Sequence, residues 1–158
     1  MSLFETDNIK WQYHELIKTL IALSLPAEKQ REVYGVGLVG DEMLEDFYSY
    51  YVLIKNSLIE REFVTYDSEQ LLNQIDLFTD KLSEDKDEDF WDELEKYEEW
   101  QELRTMAKNA LVSLGMDNYG LKVKHENDVD KKNNIVVQKT TVKLIEKNKV
   151  RCPNILYY

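Results

Sequence analysis

Apolar positions recur at helical spacing through the first three-quarters of the chain and change to strict alternation near residue 120. Ile9, Tyr13, Leu16, Ile17, Leu20 and Leu23 share one face of a helix that starts after Asp7 or Asn8 and that Pro26 ends. A short helix fits residues 27–34. Gly35, Gly37 and Gly40 interrupt the pattern before a strong amphipathic helix over residues 41–60, whose stripe is Leu44, Phe47, Tyr48, Tyr51, Ile54 and Leu58. Asp67 is the predicted N-cap of the next helix, with Gln70 at capping-box spacing and Leu71, Ile75, Phe78 and Leu82 on its apolar face. An acidic bridge over residues 83–89 follows. Phe90, Leu94, Tyr97, Trp100, Leu103, Ala107, Ala110, Leu111 and Leu114 then describe one long helix, or two with a break near Tyr97, closed by Gly115 as an αL cap. Trp100, Leu103, Ala107 and Leu111 are expected in the core against Phe47, Tyr51 or Ile54.

After Gly120, Leu121, Val123 and His125 alternate with Lys122 and Lys124, and residues 135–145 are rich in Val and Thr. These are two antiparallel strands around a polar turn at 126–134. Cys152, Pro153 and Asn154 punctuate a last extended piece that ends in Tyr157 and Tyr158. The expected fold is mainly α, an amphipathic helical bundle with a short C-terminal antiparallel β-hairpin. A chain of 158 residues suits a single domain over 1–158, able to bury about two-thirds of its unfolded surface without metals or disulfides. Its parts are a helical body at 1–118 and a hairpin and tail at 119–158.

Charge sharpens that division. Residues 1–120 carry 11 Lys/Arg against 27 Asp/Glu, whereas residues 121–158 carry 9 against 4, so an acidic body precedes a basic tail. Ten carboxylates and two lysines crowd residues 84–99. Acids in the first turn of a helix starting near Phe90 favour its positive end by about 0.3–1 kcal/mol each, which accounts for those before Phe90. Asp92, Glu93, Glu95, Glu98 and Glu99 run past that turn and repel one another at i,i+4 by a few tenths of a kcal/mol per pair. A basic partner converts this cost into steering and affinity. The candidate partner-binding residues are therefore Glu84, Asp85, Asp87, Glu88, Asp89, Asp92, Glu93, Glu95 and Glu99. The net charge of −11 argues against nucleic-acid phosphates or anionic lipid as partners.

No apolar run reaches the roughly 18 residues needed to span a bilayer. The run at residues 16–25 resembles a signal-peptide core, but Lys18 interrupts it, and Glu5, Asp7 and Glu15 occupy a flank that should be basic. The single Cys152 has no bridging partner within the chain and reads as a reduced, structural thiol, which points to the cytoplasm.

Motifs of catalysis and cofactor binding fare poorly. Gly35, Gly37 and Gly40 match the spacing of a dinucleotide fingerprint, but no strand precedes them, no βαβ unit follows, and Asp41 and Glu42 stand where the phosphate would need the helix dipole. Asp128 and Asp130 have calcium-loop spacing, yet Lys132 replaces the third oxygen ligand and Asn133 the glycine, so a solvated hairpin loop is expected. His14 and His125 have no metal-ligand partners at helical spacing. Nucleophile-elbow, Walker and Cys-x-x-Cys patterns are missing. With 31 acids, paired carboxylates arise from density alone. No catalytic residue, no cofactor and no metal site is expected.

Residues 40–47, Gly-Asp-Glu-Met-Leu-Glu-Asp-Phe, taken with Phe90-Trp91 and the spaced Glu99, Trp100, Leu103, Arg104, Ala107, Ala110, Leu111, Leu114 and Gly115, resemble a family of small, acidic, largely helical bacterial proteins similar to immunity proteins of contact-dependent or polymorphic toxin systems. The resemblance covers residues 9–116 and rests mostly on packing positions; the strand-like tail departs from it. It implies stoichiometric inhibition of a cognate toxin, with neither catalysis nor cofactor. The expected function is a non-catalytic binding protein that neutralises a basic partner, for example a nuclease toxin, through its acidic surface. The alternatives are a small carboxylate-based enzyme with Tyr48, Tyr50 and Tyr51 near its pocket, and a regulatory or scaffold protein acting through the basic hairpin by self-association.

Overall fold

The computed structural model describes residues 3–35, 37–147 and 156–157. The chain is mainly helical, with a small antiparallel sheet confined to its C-terminal part. The first helix, α1 (Leu3–Ser24), starts five residues earlier than the sequence pattern suggests. Leu16, Ile17, Leu20 and Leu23 are fully buried, which makes it the central element of the body. Helix α2 (Ala27–Tyr34) follows Pro26, whose fixed φ sets up the first turn, and closes on Gly35 at φ 78°.

The expected helix over residues 41–60 is three pieces. Helix α3 (Val39–Phe47) widens into a π-helical segment, Tyr48–Val52, in which the Leu53 amide donates to the Tyr48 carbonyl at 3.1 Å, and helix α4 (Lys55–Glu60) resumes after Ile54. The i→i+5 turn shifts the phase of the stripe. Leu44, Phe47, Tyr51 and Leu58 are buried, Ile54 is half-buried, and Tyr48 is 51% exposed.

Helix α5 (Tyr66–Asp85) is capped by Thr65, whose hydroxyl accepts from the Ser68 amide at 3.3 Å, so the expected Asp67 cap lies inside the helix. Its buried face is Ser68, Leu72, Ile75, Thr79 and Leu82, with Leu71 and Phe78 at the margin. The acidic stretch contains the short helix α6 (Glu88–Asp92) and a turn over 93–97, after which α7 (Glu98–Ser113) runs to Gly115 at φ 70°. The break near Tyr97 is thus real. Trp100, Leu103, Ala107 and Leu111 are all buried, and α7 lies along α1 and α5.

Strands β1 (Tyr119–Val129) and β2 (Ile135–Glu146) pair in antiparallel register from Tyr119 opposite Glu146 to a bulge at Asp128 and Val129. Strand β3 (Leu156–Tyr157) pairs with Lys122 and Val123 on the other edge of β1, giving the order β2-β1-β3. The strands run further than the sequence suggests, so the turn shrinks to residues 130–134. Asp130 Oδ1 accepts there from the Lys132 and Asn134 amides at 2.8 and 3.0 Å, and Asn133 takes φ 62°. Leu121 and Val123 seat the sheet on α1, and Lys18 of α1 donates to the Val142 carbonyl at 3.3 Å. Cys152, Pro153 and Asn154 lie outside the described residues.

Candidate functional site: an acidic face and groove

The nine acidic candidates fall at the end of α5, at Asp87 just before α6, on α6 itself, and on the turn and the start of α7 that follow it. What fixes them is apolar. Phe90 and Leu94 are fully buried, and Phe90 stacks on Trp100 with ring centroids 4.9 Å apart while meeting Trp91 and Tyr97 edge-on at 5.1 Å. A five-residue helix has little stability of its own, so this aromatic cluster is what holds α6 in one orientation.

Arg104 supports the following turn. Buried in α7, it donates through Nε to the Leu25 carbonyl at 2.9 Å and through Nη2 to Gln30 Oε1 and the Leu94 carbonyl at 3.0 and 2.8 Å. The α1–α2 connection, α2 and the turn at 93–97 are thereby tied to one guanidinium. Burial pushes the Arg104 pKa down, and Glu95 opposes that shift.

The structure separates the nine into two groups. Glu95 accepts a fork from Arg31, with Nη2 to Oε2 at 2.8 Å, and that hydrogen bond holds its carboxyl at about 2. Glu99 takes Lys86 at 2.9 Å, which lowers its pKa, and Glu93 takes Lys96 at 2.8 Å. These three are committed to the fold. Glu84, Asp85, Asp87, Glu88, Asp89 and Asp92 are exposed and make no ion pair among the described residues.

Beside this face lies an open groove of about 410 Å³ between α3, the π-helical segment and α5, bounded by Trp91 of α6. Four further carboxylates line it, Asp41, Glu45, Asp76 and Asp80, above Leu44, Phe47 and Val52. Burial raises the Asp76 pKa, and the neighbouring Asp80 adds to the shift. Sequence reasoning missed this groove because its acids sit on two helices some thirty residues apart. Asp41 and Glu45 at i,i+4, matched by Asp76 and Asp80 at the same spacing, were the available signal.

Other candidates do not assemble. Of the three tyrosines, only Tyr48 lines the groove: Tyr51 is fully buried and donates to Asn73 Oδ1 at 2.7 Å, while Tyr50 meets Trp11 edge-on at 6.0 Å. Gly35 and Gly37 each take a positive φ, and Gly40 packs under Trp100. His125 Nδ1 lies 2.9 Å from Thr140 Oγ1. Among the described residues, no three His, Cys, Asp or Glu side chains gather as a metal-binding group, and no helix is long and apolar enough to cross a membrane. No family model, curated protein or solved structure matches the chain.

Proposed function

We propose that this chain is a non-catalytic binding protein whose acidic face engages a basic protein partner, in the manner of an immunity protein that neutralises a toxin domain such as a nuclease. The observation that carries the reading is uncompensated charge mounted over a packed aromatic cluster. Six exposed carboxylates that make no ion pair among the described residues occupy a stretch that buries Phe90 and Leu94 and is clasped by Trp100 and Arg104. Solubility alone does not require acids to be held in fixed positions, whereas docking benefits because less freedom is lost on binding. Presented where a basic protein binds phosphate, the carboxylates stand in for the anion. The resemblance to immunity proteins points the same way.

The groove extends this face and offers the partner something specific. Its carboxylate rim over apolar and aromatic walls fits a Lys or Arg side chain better than an uncharged one.

Reversing Asp87, Glu88, Asp89 and Asp92 to Lys tests the proposal. The variant should keep the wild-type fold and melt somewhat lower, because Asp87, Glu88 and Asp89 stand at the N-terminal end of α6, where each acid contributes about 0.3–1 kcal/mol. Its association rate with a basic partner captured from the native host should fall about 10- to 1,000-fold at low salt, and the difference should shrink as salt screens charges beyond about 8 Å. Equal rates for variant and wild type at low salt would reduce the acidic face to a solvated surface.

A further inference from the structure

The hairpin register divides its side chains between two faces. Leu121 and Val123, with Val142 and Leu144 opposite them, face the helices. Lys122, Lys124 and Glu126 of β1, with Lys143, Thr141 and Lys139 opposite them, therefore share the outer face. Lys124 pairs with Glu126 at 2.8 Å, whereas Lys122, Lys139 and Lys143 make no ion pair among the described residues. Lys122 and Lys143 stand directly across from each other. Like charges at that position repel, so the free chain carries an electrostatic cost that an anionic surface would relieve.

Within one molecule the two charge surfaces sit on separate supports. The sheet rests on α1 and α2, while α6 rests on α3 and under Trp100 of α7. We propose that the lysine face of the sheet docks on the acidic face of a second copy of this chain, Lys122, Lys124, Lys139 and Lys143 of one molecule meeting Glu84, Asp85, Asp87, Glu88, Asp89 and Asp92 of the next. The choice of occupant follows from charge. A polyanion such as nucleic acid must approach a body in which 27 acids outnumber 11 bases, whereas a second copy, equally acidic overall, also brings a basic face of its own. The repulsion between two molecules of net charge −11 is screened beyond about 8 Å at physiological ionic strength, which leaves the local attraction to decide the contact. Two different surfaces meet, so the association is head to tail and each added copy leaves one of each surface free. The acidic face is the one assigned above to a basic partner, so partner and second copy compete for it, although self-docking stands without that assignment.

Sedimentation velocity of the full chain at low and high salt gives the first test, with association expected at low salt and loss of it at high salt. Two variants give the decisive one. K122E/K143E lacks the basic face, and D87K/E88K/D89K/D92K lacks the acidic face. Each alone should be monomeric at low salt with wild-type circular dichroism, whereas an equimolar mixture should associate. A monomeric wild type at every concentration, a variant that still self-associates, or a mixture that stays monomeric would overturn the proposal. Binding of a mixed-sequence DNA duplex by a monomeric wild type, lost in K122E/K143E, would overturn it in favour of nucleic acid.

Discussion

The indole N–H of Trp100 donates to the Phe90 carbonyl at 2.8 Å, and the Phe90 ring stacks on the same indole at 4.9 Å and 17°. One side chain of α7 thus holds both the backbone and the side chain of α6, and the orientation of the acidic face depends on it.

Trp100→Ala should cost about 3–5 kcal/mol, the usual range for emptying an aromatic site in a core. Trp100→Phe preserves much of the ring contact but leaves the Phe90 carbonyl without its donor, for about 1–3 kcal/mol. Urea denaturation of both variants measures the two effects, and an unchanged midpoint for Trp100→Ala would place the indole outside the core.

Gly40→Ala should destabilise the chain by about 1–3 kcal/mol, as overpacked core positions do. A methyl group there would stand 2.6 Å from Trp100 Cζ2 and 2.8 Å from the Trp91 carbonyl oxygen, and the second of these is backbone that cannot swing aside. Thermal melting checks this, and a stabilised variant, as expected for an ordinary helical Gly→Ala exchange, would contradict the close approach.

Arg104→Lys keeps the charge but not the fork that reaches Leu25, Gln30 and Leu94 together. At least one of those buried acceptors then loses its donor, at about 1–3 kcal/mol. The loss should appear in chemical denaturation. Amide exchange should quicken around residues 93–97, where the guanidinium supports the turn.

Glu95 gives a signed pH effect. Its pKa is about 2 in the folded chain against an ordinary value of 4.5, so the pairing with Arg31 stabilises the fold above pH 4.5 and is lost as pH falls from there toward 2. The pair is exposed, which limits its contribution to about 0.2–1 kcal/mol. Denaturation midpoints of Glu95→Gln should fall less steeply than wild type across that window. Asp76 acts in the opposite sense, because its raised pKa makes protonation favour the fold at the acid end.

The helices could be read from the sequence wherever apolar spacing was regular, as in α1 and α7, and the change to strands at Tyr119 followed the change of period. What escaped was phase and partnership. The stripe from Leu44 to Leu58 looked continuous because its residues are apolar or aromatic throughout, yet the widened turn at Tyr48–Val52 divides it into separate helices, and Tyr48 is exposed. Thr65 displaced Asp67 as the cap because either residue type can accept an amide there, and tertiary packing decides which one does. In the acidic stretch, density of charge was visible, but ion pairs from Arg31, Lys86 and Lys96 were not, since Arg31 lies more than sixty residues from Glu95.

The widened turn at Tyr48–Val52 makes the wall of the groove a matter of residue count. Tyr48 keeps the ordinary bond from its amide to the Leu44 carbonyl, so the widening changes only the phase of the residues after it, and an α-helix through the same segment would set another side chain in the place of Val52. Shortening this segment by a single residue would restore the ordinary hydrogen-bond ladder and change the wall only after Tyr48, while Asp41, Leu44 and Glu45 of α3 kept their places. The groove can therefore be remodelled by insertion or deletion in a place where substitutions act only one side chain at a time.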